Sequence, residues 1–310
     1  MFNPTVQVIA AQPKVLTPPD ISFEAILKHF PGLAEAEAVC MTGSIAAGWG
    51  NAFSDIDLYA FSDKELVLPI DETMETWPGA DSSGVRWHNW MGVYDNARVD
   101  LKVWPTSTLT TALEPYLATE VEFCSMGDFL QDFVYRLDVA MPLKNEEFFG
   151  RMKELIAGSS YPRARARRLK ADVENRLTDV AGQLDAGDDK TARVSAALAA
   201  ATIADAALVL SGELCRREKW LVRRLEKTPQ CGITVDDYVT QILDGARPGE
   251  SDAATALRMA RWTQAHLVRL EDAFRRAVSA AGRPRTARGG HGTSANPPCA
   301  PPYSKPGETQ

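Results

Sequence analysis

The spacing of apolar residues changes near residue 105, and this limits the chain to two unlike structural parts. Arg98-Val-Asp-Leu-Lys-Val-Trp104 alternates strictly, so Val99, Leu101 and Val103 share one strand face while Arg98, Asp100 and Lys102 share the other. Strands are also predicted at 38–41, 56–61 and 83–90, between Gly- and Asp-rich turns. Asp20 is placed to cap a helix over 21–28 that Pro31-Gly32 ends. Beyond residue 105 glycines become scarce, and apolar residues recur every three or four positions in an Ala-, Leu-, Arg- and Glu-rich background. Helices are predicted at about 109–117, 119–132, 146–155, 163–184, 191–211, 216–226, 235–243 and 253–281. The expected fold class is therefore α+β: a small mixed-sheet α/β domain over 1–107, then an α-helical bundle over 108–282. The Gly-, Pro-, Ser- and Thr-rich stretch 283–310 cannot bury enough surface to offset its ordering entropy, so a disordered tail is expected there.

With 310 residues, 45% hydrophobic and 24% charged, the chain can bury a sizeable core. The longest apolar run, 196–210, is broken by Thr202 and Asp205 and falls short of the roughly 18 to 20 residues of a membrane span. The first residues lack the basic and apolar regions of a secretory signal, so a cytoplasmic location is expected. Five cysteines, Cys40, Cys124, Cys215, Cys231 and Cys299, stand singly and read as small apolar residues rather than a disulfide framework or zinc site. A net charge of −7 lacks the overall basic footprint of a duplex nucleic-acid binder.

One stretch carries chemistry: Met41-Thr-Gly43-Ser44-Ile-Ala-Ala-Gly48-Trp-Gly50-Asn-Ala-Phe-Ser54-Asp55-Ile56-Asp57-Leu58. A Gly-Ser turn directly after a strand lets backbone N–H groups approach a phosphate, and the serine hydroxyl adds a donor. Asp55 and Asp57 open the next strand, where a period of two puts both carboxylates on one face. At about 4 Å two such charges repel by roughly 4 kcal/mol at an effective dielectric near 20, which calls for a cation or a raised pKa. Mg²⁺ is the simplest answer, because it takes oxygen ligands and keeps positions open for substrate phosphates; two ions can clamp both oxygens of a displacement at phosphorus.

Gly43-Ser44, ten intervening residues and Asp55-Ile-Asp57 resemble the signature of the DNA polymerase beta-type nucleotidyltransferase superfamily. The wording is most similar to aminoglycoside nucleotidyltransferases and related minimal nucleotidyltransferases. The resemblance implies a nucleotidyltransferase domain followed by helices. It implies Asp55 and Asp57 as Mg²⁺ ligands, and Asp100 as a third carboxylate that completes the metal site or takes a proton from the acceptor hydroxyl. It places Gly43, Ser44 and Ser54 in the nucleotide-binding turn. A weaker resemblance at 208–221, ending in Glu218-Lys219-Trp220, implies a phosphate contact for Lys219, with Arg223 and Arg224 one turn on. The implied activity is transfer of a nucleoside monophosphate, with ATP as the expected donor among the NTPs, to a hydroxyl of an aminoglycoside-like small molecule, with release of pyrophosphate.

Two rival expectations stand beside it. The basic run Arg163-Ala-Arg-Ala-Arg-Arg-Leu-Lys170 reads either as a charged helix turn or as an RNA or triphosphate contact, so tRNA or a protein is an alternative acceptor. A catalytically silent nucleotide-binding module is the other. Of the four histidines, none has metal-ligand spacing, and only His88 falls near the expected pocket; Trp87, Trp90 and Trp104 read as core.

Overall fold

Ala38–Thr42 (β1) has every residue buried, as a strand without polar alternation must be when both sheet faces are covered. In the computed structural model, which describes residues 21–281 except 52, 69–74, 81–84 and 95–96, it lies inside a six-stranded sheet. Its fellow strands are β2 (Ile56–Phe61), β3 (Glu75–Ala80), β4 (Arg86–Tyr94), β5 (Ala97–Trp104) and β6 (Met141–Lys144), in the order β3-β4-β5-β2-β1-β6. Only β2 and β5 run parallel; the β3–β4 hairpin lies between them in sequence and beyond β5 in space. Residues up to Leu270 form one compact unit, and Glu271 begins a second. Asp20, Ser83, Cys299 and the expected tail fall outside the described residues.

Period-two alternation sorts the sheet into two faces. On one, Met41, Ile56, Leu58, Val99 and Leu101 pack with Ile26 and Phe30 at α1 (Phe23–His29) and with Leu33. The cap of α1 is Ser22, in an extended backbone conformation, whose hydroxyl accepts from Ala25 N at 3.1 Å. The other face carries rows aligned across strands. Thr42, Asp57, Asp100, Met91 and Glu75 form one row, and Cys40, Tyr59, Lys102, Asn89 and Trp77 form the next. Beyond them Phe61 and Trp104 pair in register. A single helical turn, α2 (Gly43–Ala46), leads out of β1.

Aromatic rings close the far half of that second face. Below α3 (Glu114–Ala118), which a π turn at Leu109–Leu113 precedes, come α4 (Asp128–Asp138) and α5 (Glu146–Gly158). Phe133 of α4 lies 4.3 Å from Trp104 and 5.8 Å from Tyr59 between ring centroids, and Phe148 of α5 lies 5.0 Å from Phe61. The half bearing Asp57 and Asp100 is left partly open to solvent.

Helices dominate the remainder, as the spacing predicts, with α6 (Tyr161–Asp185) and α7 (Asp189–Leu210) the first long pair. A 3-10 turn at Glu218–Trp220, α8 (Leu221–Lys227), α9 (Val235–Tyr238) with a π turn at Val239–Leu243, and α10 (Asp252–Ala281) complete it. Ala192, Ala196, Ala200 and Ala204 are fully buried at four-residue spacing, so small side chains form the inward stripe of α7. By length and a mean hydropathy of 1.6 this 22-residue helix does reach the range of a membrane span, contrary to the expectation from its interrupted run; its alanine stripe is instead packed in the bundle core.

The expected helix over 119–132 forms only from Asp128 on. The chain at 119–127 is held extended because α6 claims its backbone: Cys124 N donates to Ala164 O at 3.2 Å and Val121 N to Ser160 Oγ at 2.8 Å. Arg168 donates to the carbonyls of Cys124 and Met126, and Arg167 to that of Glu122. Strands β3 and β6 escape sequence reading because Pro78, Gly79 and Pro142 interrupt them. Proline has no N–H for the ladder and fits at the sheet edges that β3 and β6 occupy.

Replacing the buried Phe133 by alanine removes the ring that joins α4 to Tyr59, Phe61 and Trp104. The expected loss is about 3 to 5 kcal/mol, read as a shift of the urea unfolding midpoint without a change in slope.

Candidate active site

The turn after β1 is built by one glycine. Gly43 has φ of 74°, and a Cβ there would lie 2.0 Å from Asp57 Oδ2, so the Asp57 carboxylate occupies the volume any side chain would take. From Gly43 the chain enters α2, with Thr42 as its cap. Trp49 N donates to Ser44 O at 2.8 Å and closes the turn. The loop then folds on itself: Ser54 Oγ accepts from Asn51 N and Asn51 Oδ1 from Phe53 N, both at 2.9 Å, which delivers Asp55 to the start of β2.

Parallel pairing places Asp57 beside Asp100, with Cα atoms in register on strands about 4.8 Å apart. Asp100 therefore faces the same side as Asp57, the face its alternation predicts. Two guanidinium groups stand against the three carboxylates. Arg98 bridges Asp55 at 2.5 Å and Asp100 at 3.1 Å, and Arg136 meets Asp57 at 2.8 Å and Asp132 at 3.0 Å. Arg98 is half exposed, its side chain 52% accessible, whereas Arg136 is 12% accessible and sits 5.6 Å over the Tyr59 ring. Thr42 Oγ1 donates to Arg136 O at 2.6 Å, which ties α4 to the end of β1.

These contacts set the proton affinities. Burial pushes the Asp55 carboxyl above the usual carboxylate range; Arg98 works against this, Asp100 and Asp57 add to it, and Lys219 opposes it. Burial also disfavours the charge on Arg136, yet Tyr59, Asp57 and Asp132 outweigh it and hold the guanidinium charged well above its ordinary value. Lys102, in the row behind the carboxylates, is pushed down by burial and by Arg136, against the pull of Asp57, Asp132 and Asp100.

Among the described residues no group of three or more His, Cys, Asp or Glu side chains converges as a metal-binding cluster. Arg98 lies between Asp55 and Asp100, and Arg136 lies against Asp57. The donor set nonetheless suits a hard divalent ion: three carboxylates whose charges act on one another, with one of the two balancing cations on an exposed, movable side chain.

Helical residues approach from the other side. Lys219, in the 3-10 turn, is close enough to lower the proton affinity of Asp55, and its ammonium lies 5.2 Å over the Trp220 ring. Arg223 donates to Trp49 O at 2.7 Å and Lys227 to Ala47 O at 2.9 Å, so both brace the glycine-rich turn from α8. Arg224 is directed elsewhere, buried against Asp205 and Glu213. His88 sits on the opposite sheet face, where Thr76 Oγ1 lies 2.6 Å from its Nε2 and the Trp90 ring 4.1 Å away.

Beside Asp100 the sheet opens into a groove of about 660 Å³, lined by Trp77, Trp87, Met91, Arg98, Asp100 and Lys102 among others. Sequence reasoning misses Arg136, Lys102 and Lys227 as members of this site. For Lys102 the available signal is its place on the Asp100 face of the alternating strand. Nothing local in α4 or α8 marks Arg136 or Lys227 as neighbours of a loop so distant along the chain.

The sequence matches no protein-family model and no curated protein. Among solved structures the chain is similar to a nucleotidyltransferase-like protein from Exiguobacterium sibiricum 255-15, at 12% identity and a TM-score of 0.44, over 86% of this chain and 81% of that one.

Gly43→Ala is expected to destabilise the protein by about 1 to 2 kcal/mol from the left-handed backbone alone, with a further loss from the clash with Asp57. Adding Asp57→Gly to Gly43→Ala should recover the clash portion. A double-mutant cycle by urea denaturation separates the two, and additive losses would show that the close approach costs nothing.

Proposed function

We propose that this protein is a Mg²⁺-dependent nucleotidyltransferase that moves a nucleoside monophosphate from an NTP, ATP foremost, to a hydroxyl group of a small molecule. The observation that carries this reading is the register of Asp57 with Asp100, with Asp55 one strand-step before Asp57 and Gly43 packed against its carboxylate. A turn that leaves no room for a side chain, set beside clustered carboxylates, is what a metal-bound triphosphate requires.

In this reading Asp55, Asp57 and Asp100 would hold the ion. Mg²⁺ held there would supply positive charge to offset that of the triphosphate and of the departing pyrophosphate. Gly43 and Ser44 line the turn over which the triphosphate lies, Ser54 keeps the 51–54 loop folded behind it, and Lys219 approaches from the helical side. Arg223 and Lys227 keep the turn in place through its carbonyls. An acceptor in the groove presents its hydroxyl to Asp100, whose carboxylate takes the proton. The hydroxyl oxygen bonds to the α-phosphorus as the bond from that phosphorus to the pyrophosphate oxygen breaks, and pyrophosphate leaves with the electron pair. Positioning and charge neutralisation supply most of the acceleration in such a transfer.

The basic run that suggests an RNA or protein acceptor has internal partners. Arg163 pairs with Glu120, Arg165 is buried against Asp205 and the carbonyl of Leu214, Arg168 holds the 124–126 carbonyls and Lys170 pairs with Glu174. Three of its charges are thereby paired with carboxylates and Arg168 is tied to backbone carbonyls, so the run serves the packing of the fold, which favours the small-molecule acceptor. Aminoglycosides belong in the first acceptor panel, with tRNA as the macromolecular comparison.

Pyrophosphate release is the test, measured with each NTP, Mg²⁺ and the acceptor panel. Asp57→Asn is expected to lower the rate by about 10² to 10³-fold, the equivalent of roughly 3 to 4 kcal/mol of lost transition-state stabilisation, while urea unfolding shows a folded protein. Turnover that survives this substitution would remove the carboxylate from the mechanism. Because the Asp55 carboxyl is held above the usual range, it stays protonated to higher pH than an ordinary aspartate, so Mg²⁺ affinity should weaken on mild acidification. Calorimetric titration across pH checks this, and Asp55→Asn should flatten the profile.

A further inference from the structure

The groove beside Asp100 has a chemistry of its own, and treating it as the acceptor side rests on the nucleotidyl-transfer reading. Its wall is the row Trp77, Asn89 and Lys102, with Met91 and Asp100 in the row above. Trp77 is 42% exposed on the edge strand, so it is open to a ligand from solvent. Trp87 is held against the strand beside it by Gly79: a Cβ there would come within 2.2 Å of the Trp87 ring. Phe129 stacks on the Trp87 ring at 4.1 Å, which keeps that wall rigid. Asn89 is buried, its side-chain nitrogen donating to Trp77 O at 3.2 Å and its oxygen accepting from Trp87 Nε1 at 2.9 Å, so it ties the Trp87 ring to the backbone of Trp77.

Among the described residues the charged groups in the lining are Arg98, Lys102 and Asp100. Asp100 is the one carboxylate among them, and Arg98 already engages it at 3.1 Å. Glu75 ends the Asp100 row on the edge strand but lies outside the lining. Among the described residues a polycation entering here would meet Lys102, Arg98 and a single carboxylate, Asp100, already paired with Arg98. An anionic group would meet Lys102 at the wall and Arg98, whose guanidinium it would share with Asp55 and Asp100. A volume near 660 Å³ is that of a small-ligand site.

We infer that the acceptor is a single planar-ring compound carrying a hydroxyl and an anionic substituent, stacked on Trp77 with its anion toward Arg98 and Lys102 and its hydroxyl toward Asp100. Such an acceptor is neither a polycationic sugar nor a polynucleotide.

Equilibrium binding to the full chain, with Mg²⁺ and a non-hydrolysable ATP analogue present, tests this with three probes. Pyridoxine 5′-phosphate has the ring, the hydroxyls and the anion; pyridoxine lacks the anion; kanamycin is a hydroxyl-rich polycation. The expected order is pyridoxine 5′-phosphate, then pyridoxine, then kanamycin, with about tenfold or more between first and last. Trp77→Ala should weaken pyridoxine 5′-phosphate by about five- to tenfold, and Trp77→Phe should retain most of its affinity. Kanamycin binding as tightly as the phosphorylated ring, affinity indifferent to Trp77→Ala, absence of binding by all three probes, or displacement by a short RNA at lower concentration would each overturn the inference. The same titrations separate it from the reading it rests on. Analogue binding that needs Asp55 and Asp57, together with a preference for kanamycin, would sink the acceptor class alone. Groove binding in the expected order with no nucleotide bound would sink nucleotidyl transfer instead.

Discussion

Three carboxylates at one end of a sheet repel one another, and the fold tolerates them because two guanidinium groups of different character stand among them. Asp57 and Asp100 each raise the cost of ionising Asp55, and a pair about 4 Å apart in a medium of intermediate dielectric repels by roughly 4 kcal/mol. Arg136 is a fixed counter-charge, packed over Tyr59 and shared with Asp132. Arg98 is a movable one on an exposed face of β5. The parallel β2–β5 pairing that brings Asp57 and Asp100 side by side is tolerable only with such compensation, so strand topology and charge placement are one problem.

The helical part has its own version of this arrangement. Arg165 and Arg224 are almost wholly buried, and Asp205 pairs with both while Glu213 pairs with Arg224. Buried ion pairs contribute little net stability, but removing one partner leaves an expensive uncompensated charge. They fix where α6, α7 and α8 meet, and that fixes the 3-10 turn bearing Lys219 and the face of α8 bearing Arg223 and Lys227. The position of the glycine-rich turn thus depends on α8, which braces it through the carbonyls of Ala47 and Trp49.

How much of this is legible in the sequence depends on the range of the interactions concerned. The alternation in 98–104 sets the faces of β5 and puts Asp100 with Asp57, because period two is a local property. The long helices are equally plain, with ends within a few residues of α5, α6, α7 and α10. The lost first part of the helix expected at 119–132 has a non-local cause: arginines of α6, more than 40 residues on, capture its carbonyls. The same run of arginines looks like a nucleic-acid contact because a sequence displays charge without its partners. Arg136 is illegible for the complementary reason, since only the packing of α4 on Tyr59 and Phe61 turns an ordinary helix arginine toward Asp57.

The contrast between the two arginines bears on how such a site can change state. A guanidinium that is 12% accessible and packed against Asp57, Asp132 and an aromatic ring is confined, so it stays beside Asp57. One that is 52% accessible and bridges Asp55 to Asp100 can leave at small cost, because an exposed ion pair is worth at most about 1 kcal/mol. A divalent cation competing for Asp55 and Asp100 would therefore displace a weakly held charge, and it would share Asp57 with Arg136, which sits on Oδ1. Once displaced, Arg98 would remain tethered to β5 beside the groove, where its charge would be free to meet an anion. Metal affinity and acceptor preference would then be linked through one side chain, by the same electrostatics that lets the carboxylates coexist.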